Sequence, residues 1–398
     1  MLISRVRPVA LLLCSVLAVP ASAGPSDALH LYAGTSYGYD DNLLRVPDNA
    51  PAFDNTRADS WWEREVGLIF DKTYSRQRIS IITKVSKYDF NHFKQLNYDG
   101  KDLQGTWFWQ LGNHLEGKIG TSYQQVLAPY TDFYSSERNL RRSRSKFAEG
   151  SWRFHPSFRV RTAFQRDTFS YELLSERFNN RTEDGSEIEV DYLPRSGSTV
   201  GLVARHVKGS YPFSRQFGPN GLSENFTQDE LKARVLWIAS GHTTIDALVG
   251  RTQRSQPAYG AGKTSGLTGR VGVTYKPRGK MVYTATVYRD FAPLESTIVS
   301  YTLNKGARVG ARWDATAKIR VNADAIYERR NYSSRTGVAS FSGLSDSIQT
   351  DSLSTTWSPR PTIQVTAGLA HQKRNGSVTL GTGSFTSNSM TLSASGQF

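Results

Sequence analysis

The sequence predicts an all-β chain, a transmembrane antiparallel up-and-down β-barrel of about 18 strands with short periplasmic turns and long extracellular loops. Three observations carry this expectation: a two-residue hydrophobic period along most of the chain, a strict alternation of short and long connections, and aromatic residues gathered at strand ends. Composition removes the competing classes. The 398 residues are 12% aromatic and 21% charged, too aromatic and too weakly charged for a disordered chain. A mean hydropathy of −0.47, with no apolar run near the ~20 residues that a membrane helix needs, excludes a polytopic helical protein.

Residues 1–23 read as a secretory signal peptide. Arg5 and Arg7 form the basic start, Val9 to Val19 the apolar stretch, and Ala21-Ser22-Ala23 the cleavage pattern. Cys14 is the one cysteine and lies in that stretch, so the exported chain is expected to lack thiol chemistry and disulfides. Losing Arg5 and Arg7 lowers the formal net charge from +14 to +12. Residues 24–398 are then expected to form the barrel, located in the outer membrane of a Gram-negative bacterium.

The first strand is expected at about Leu29 to Tyr39. Clear alternation follows in several segments. Leu231, Ala233, Val235 and Trp237 oppose Glu230, Lys232 and Arg234, while Leu303, Ala307, Val309, Ala311 and Trp313 oppose Asn304, Gly306, Arg308, Gly310 and Arg312. Ile319, Val321, Ala323, Ala325 and Tyr327 oppose Arg320, Asn322, Asp324, Glu328 and Arg330, and Ile363 to Leu369 repeats the scheme. Such a period places alternate side chains on opposite faces of a strand. Short turns recur, such as Leu111-Gly112-Asn113, His155-Pro156-Ser157 and Lys276-Pro277-Arg278-Gly279, with a looser one near Asp71 to Gln77. Long polar segments separate them, roughly 40–60, 91–99, 127–144, 172–185, 209–227, 255–264, 291–300, 331–346 and 375–385.

Phe70, Trp107, Trp109, Trp152, Phe154, Tyr192, Trp237, Tyr275, Trp313 and Trp357 stand just before short turns. Tyr88, Phe90, Tyr123, Phe169, Tyr171, Tyr288 and Tyr327 stand at the opposite strand ends, so two interfacial belts are expected. Ser389 to Phe398 alternates towards a terminal Phe398, which looks like the assembly signal read by the barrel assembly machinery. An open sheet edge in hydrocarbon leaves amides unpaired at several kcal/mol each, so the last strand should pair with the first.

The phase opposite to the apolar one supplies the expected pore lining. Its basic members are Lys84, Lys118, Arg159, Arg161, Arg205, Lys232, Arg234, Arg270, Arg308, Arg312, Arg320 and Arg330. Its acidic members are Glu116, Asp167, Glu187, Glu189, Asp191, Glu230, Asp246, Asp324 and Glu328. The basic excess favours anions in a restricted channel; the equally weighted reading is that opposite charges pair and hold a hydrated wall. A further basic cluster, Arg138, Arg141, Arg142, Arg144 and Lys146, is expected in an outer loop, suited to lipopolysaccharide phosphates or to a polymer.

Catalytic and cofactor motifs fail in turn. Gly262-Lys263-Thr264 has Pro257 where a P-loop needs its first glycine. The seven histidines show no spacing that singles out a catalytic partner, and no Cys or His cluster suggests a metal. No cofactor, enzymatic activity or nucleic-acid partner is expected.

Tyr37-Gly38-Tyr39-Asp40-Asp41-Asn42-Leu43-Leu44-Arg45 resembles the opening motif of the EpsL-type outer-membrane proteins found in exosortase-associated exopolysaccharide gene clusters. The resemblance implies a full-chain barrel and transport of secreted polysaccharide, and it brings no catalytic residues. Asp40, Asp41 and Asn42 are themselves expected to form a hydrated first outer loop, since Asp and Asn support turns. The expected function is therefore an outer-membrane conduit for an exopolysaccharide of anionic character. Its partners would be the polysaccharide, outer-membrane lipid and lipopolysaccharide, and periplasmic export components. The alternatives are an anion-preferring nutrient-uptake porin and a surface barrel for adhesion or enzymatic modification.

Overall fold

The computed structural model describes residues 28–132, 134–214, 224–256, 263–294, 301–332, 344–377 and 382–398. The leader, residues 1–23, and Gly262 of the P-loop-like stretch lie outside the described residues. The strands are β1 (Leu29–Asp40), β2 (Asp59–Tyr74), β3 (Gln77–Phe90), β4 (Tyr98–Leu111), β5 (Leu115–Leu127) and β6 (Leu140–His155). Then follow β7 (Phe158–Tyr171), β8 (Arg181–Tyr192), β9 (Thr199–Ser210), β10 (Phe226–Ile238), β11 (Thr243–Ser255) and β12 (Lys263–Tyr275). The last are β13 (Met281–Pro293), β14 (Tyr301–Trp313), β15 (Ile319–Tyr332), β16 (Ser345–Arg360), β17 (Ile363–Asn375) and β18 (Phe385–Gln397).

Each strand pairs with its neighbours in sequence, and β18 pairs antiparallel with β1, so 18 strands form one closed sheet. Tyr37 lies opposite Leu392 and Tyr32 opposite Gln397 along this seam. Phe398 extends it, its N–H donating to the Leu31 carbonyl at 2.7 Å. Closure leaves no strand edge, the condition hydrocarbon imposes on a sheet. Connections alternate in length: 75–76, 112–114 and 156–157 at one end against 41–58, 128–139 and 211–225 at the other. The turn near Asp71 to Gln77 is a tight hairpin at Ser75 and Arg76, with Ser75 in the left-handed region at φ 53°.

The outer face is apolar because that is the phase the alternation turns outward. Val66, Ile119, Phe164, Leu202, Leu231, Leu267, Val287, Val309 and Leu369 are all about half exposed or more. In water such a belt would be a large hydrophobic liability, and in a bilayer it is the solvated surface. The aromatic girdle at the short-turn end is present, with Trp107, Trp152, Tyr192, Trp237, Tyr275, Trp313 and Trp357 all exposed outward.

The second belt differs from expectation. Tyr88 donates to Glu63 at 2.6 Å, Tyr288 donates to Glu328 at 2.6 Å, Phe169 lies under the Arg181 guanidinium, and Phe90 and Tyr171 are buried. These five rings share the phase of the inward charges and face the lumen. Position near a strand end gave their height, but phase gives their side. Tyr327 is exposed on the outer face.

The basic cluster is also placed differently. Arg141, Arg142, Arg144 and Lys146 belong to β6 rather than to a loop, and Arg138 in the preceding segment pairs with Glu172 at 2.8 Å. A strand can carry such a charge run because its alternate members face opposite ways: Arg142, Arg144 and Lys146 point outward, above the apolar belt. Arg144 stacks on Tyr123, 5.5 Å from the ring centroid.

Candidate functional site: the inner wall and its crossing loop

The inward phase of every strand projects into one enclosed space, so charges distant in sequence become neighbours. All twelve basic residues marked by the alternation sit beside carboxylates. Around β6 to β10, Arg161 reaches Glu187 at 2.9 Å, Glu149 at 3.5 Å and Glu189 at shorter range. Arg234 meets the same Glu189 at 3.1 Å, Arg159 meets Asp191 at 2.6 Å, and Lys118 meets Glu149 at 3.4 Å. Glu230 holds Lys232 at 2.8 Å and Arg205 at 4.0 Å. Elsewhere Lys84 lies 3.1 Å from Glu65, Arg270 lies 3.4 Å from Asp246, and Arg308 lies 2.6 Å from Asp324. Arg312 and Arg320 share Asp314 in a short turn, at 3.4 and 2.7 Å.

The wall is therefore not uniform. Arg161 and Lys232 are buried, their charges locked into pairs, whereas Arg308, Arg312 and Arg320 keep about half of their side chains open to the lumen. A buried pair is largely neutral to a passing solute, while an exposed guanidinium still offers donors.

Arg330, the twelfth, belongs to a separate constellation at the long-loop end. It donates to Asp346 at 2.6 Å, and Arg374 donates to the same Asp346 oxygen at 2.5 Å. Tyr332 adds a third bond to that carboxylate at 2.7 Å. Asp132 completes the cluster, 3.0 Å from Arg330 and 3.1 Å from Arg374. Asp132 belongs to the connection between β5 and β6, whereas Arg330 and Arg374 stand on β15 and β17. β15 is nine strands round the ring from β6, so the connection that carries Asp132 reaches across the mouth to the far wall.

Two kinds of contact hold this loop. Its base is apolar: Tyr130 packs with Leu44, Val46, Phe90, Phe93 and Leu96, a small core shared by three successive long connections. Its tip is polar. The Thr131 carbonyl accepts from Arg374, and the Tyr134 hydroxyl lies 3.4 Å from the same guanidinium. Burial pushes the Tyr130 and Tyr134 phenols above their ordinary pKa, so both remain neutral; Tyr130 donates to the Glu137 carbonyl at 2.9 Å.

Sequence reasoning found Arg330 and missed Arg374, Asp346 and Asp132. Arg374 was within reach, because the inward series Gln364, Thr366, Gly368 and Ala370 continues through Gln372 to Arg374. Asp132 had no such signal, since the fold of an outer loop obeys no period.

The Asp40-Asp41-Asn42 segment is a clamp rather than a hydrated loop. Asp40 and Asn42 are each 3% exposed. Asp40 accepts from the Asn42 N–H at 2.8 Å and from Ser387 at 2.7 Å, and it pairs with Arg45 at 2.9 Å. Asn42 donates to the Val46 and Thr386 carbonyls and accepts from the Val46 N–H. Asp41 accepts from the backbone and the side chain of Asn388, both at 2.7 Å. The Asx turns were foreseeable; what dries them is β18, which the turn pins to β1 at the outer end of the seam.

No protein-family model matches the chain, and no curated protein matches it. Solved structures do. The chain is similar to the outer membrane protein OpdK from Pseudomonas aeruginosa with a TM-score of 0.50 at 11% identity, covering 93% of this chain and 99% of that one. It is similar to Pseudomonas aeruginosa OccK2 (OpdF), solved in complex with glucuronate, with a TM-score of 0.51 at 10% identity, covering 93% and 98%. At such identities the likeness is one of fold. Together with the closed sheet and its apolar outer face, it makes the chain a porin-like β-barrel of the Gram-negative outer membrane.

Proposed function

We propose that the barrel is a gated channel for an acidic saccharide, used as the outer-membrane conduit of a secreted exopolysaccharide. The observation that carries this reading is the Asp132 carboxylate seated between Arg330 and Arg374 across the mouth. A loop carboxylate there occupies a two-guanidinium position that a uronate carboxylate can take in its place. Exchange of one carboxylate for another leaves both guanidiniums paired, so the loop tip is released without exposing a bare buried charge. Beyond the mouth, Arg308, Arg312 and Arg320 offer half-exposed donors, and weak repeated contacts of this kind let a polymer move without being trapped. An 18-strand ring is wide enough for an aqueous path. The resemblance of Tyr37 to Arg45 to the EpsL-type motif supports export as the direction, with polymerisation and energy supplied by periplasmic components.

A clean deletion of the gene tests the reading, with high-molecular-weight polysaccharide measured outside the cell and in the periplasm. Retained polymer with little outside is the expected result, and unchanged secretion overturns the export role. A second reading, uptake of small organic anions, is favoured by the likeness to a barrel solved with glucuronate. In that case the deletion leaves secretion intact and slows growth on a uronate as sole carbon source.

A further inference from the structure

On the outer wall, some groups above the apolar belt pair with a neighbouring carboxylate. Arg64 meets Asp89 at 3.1 Å and Arg166 meets Asp184 at 2.5 Å, and the His206 ring lies 2.7 Å from Asp229. A row of another kind lies on β13 to β15. Arg289 on β13 lies directly opposite Lys305 on β14, which lies directly opposite Arg329 on β15. All three share the outward phase of the exposed Val287, Val309 and Tyr327. Strands are spaced ~4.8 Å apart, so three positive charges fall within roughly 10 Å. Like charges directly opposite each other destabilise a sheet.

Among the described residues no carboxylate pairs with any of the three. The next outward residues in the row, Gly269 on β12 and Ser347 on β16, are uncharged. Among the described residues Arg329 reaches only the Ser345 hydroxyl, at 3.0 Å, and the buried Arg289 Nε has no hydrogen-bond partner. The nearest outward carboxylate on β16, Asp351, stands lower on the wall and accepts from Gln349 at 2.7 Å. A recess of about 530 Å³ opens between Lys305, Tyr327, Arg329 and Asn331.

A second feature lies directly beneath. Four residues below each cation on the same three strands are Ala285, Val309 and Ala325. They line an apolar groove of about 890 Å³ that extends past Ala311 and Ala323 to Leu353 and Leu369. Small side chains on β13 to β15 flanked by large ones on β16 and β17 make the wall concave there. At ~3.3 Å per residue the groove begins about 13 Å below the charged row, at acyl-chain depth when the row is at headgroup height. Cations at the end of an outward-facing apolar strand belong at the interface, since the same charges at the bilayer midplane cost about 2–4 kcal/mol each.

We propose that this sector binds lipopolysaccharide of the outer leaflet, with its phosphates on Arg289, Lys305 and Arg329 and an acyl chain in the groove below. The row is at the long-loop end, the extracellular side of such barrels, where the leaflet is built from this phosphorylated glycolipid. Three cations in a line match a headgroup bearing more than one phosphate better than a phospholipid bearing one, and the Tyr327 ring at the recess offers a face to a sugar. The site is independent of what passes through the lumen.

The test uses the purified full-length barrel in neutral detergent, with binding of bisphosphorylated lipid A read by native mass spectrometry. R289Q/K305Q/R329Q should weaken binding at least tenfold, as should removing both phosphates from the lipid with the wild-type protein, an arm that needs no variant to fold. A323W, which fills the groove and leaves the cations intact, should also weaken it, while R64Q/R166Q should not. Equal binding by the triple variant or by dephosphorylated lipid A overturns the proposal. So does equally tight binding of phosphatidylglycerol, or competition by millimolar inorganic phosphate alone.

Discussion

Asp132→Ala removes the carboxylate that holds the crossing loop to the far wall. Asp132 contacts Arg330 at 3.0 Å and Arg374 at 3.1 Å, and both guanidiniums are almost wholly buried. Hydrogen bonds to charged groups contribute about 1.5–3 kcal/mol each. The two arginines stay paired through Asp346, at 2.6 and 2.5 Å, so the loss is smaller than that of stranding a buried charge. The tip should lose about 2–3 kcal/mol of attachment, a roughly 30- to 150-fold shift from seated to released. The base should stay in place, because Tyr130 packs in the apolar core formed by Leu44, Val46, Phe90, Phe93 and Leu96. Single-channel recording in planar bilayers reads the change. Wild type should dwell in a low-conductance level, D132A mainly in a higher one, and D132N between them. Raising the salt should not reproduce the effect in wild type, because buried pairs are weakly screened. Conductance levels and dwell times in D132A identical to wild type would refute the idea that this contact controls the path.

Arg161→Gln leaves Glu149, Glu187 and Glu189 facing one another with one cation fewer, and it should cost about 3–5 kcal/mol, seen as a lower urea midpoint for folded barrel in vesicles. Gly67→Val should destabilise the barrel by about 1–3 kcal/mol of overpacking, seen as a smaller heat-resistant folded fraction on gels, since a Cβ at Gly67 would stand 2.2 Å from the Tyr32 ring and 2.4 Å from the Thr83 carbonyl. Asn42→Ala strips three hydrogen bonds from a buried turn and should loosen the outer end of the β1–β18 seam, speeding amide exchange at Ser387 to Ser389 while leaving Leu392 protected. Replacing Arg308, Arg312 and Arg320 together by Gln should shift the reversal potential towards cations, without lowering the urea midpoint as Arg161→Gln does, because their pairs are open to water.

The strands were legible because a bilayer imposes a strict code: one phase apolar, the other polar, with turns between. That code placed Ile319, Val321, Ala323 and Tyr327 outward and Arg320, Asp324 and Arg330 inward, and it brought Phe398 to the first strand. It fails where two faces are both tolerable. Tyr88 and Tyr288 near strand ends suit either interface or lumen, and only the phase, read from Lys84 and from Val287, turns them inward. The outer connections follow no code at all. That Asp132 reaches Arg374 depends on three loops sharing an apolar core, and each contributes residues, such as Leu44, Phe93 and Tyr130, whose partners are far away in sequence.

Pairing also separates two tasks that the twelve inward cations share in the sequence. Where Arg161, Lys232 and Arg234 are sealed against Glu189 and Glu230, their charge is spent on the wall, and reversing it would bring carboxylates together in a buried setting. Failure of such a variant would report on folding, not on guidance of a solute. Arg308, Arg312 and Arg320 bridge to Asp324 and Asp314 in water, where an ion pair is worth about 0–1 kcal/mol and a passing carboxylate can compete for the guanidinium. Arg330 and Arg374 combine both conditions: they are buried, but one of their two carboxylates is carried by a loop. A strong site whose occupant can leave suits a gate, and weak open sites below it suit a path.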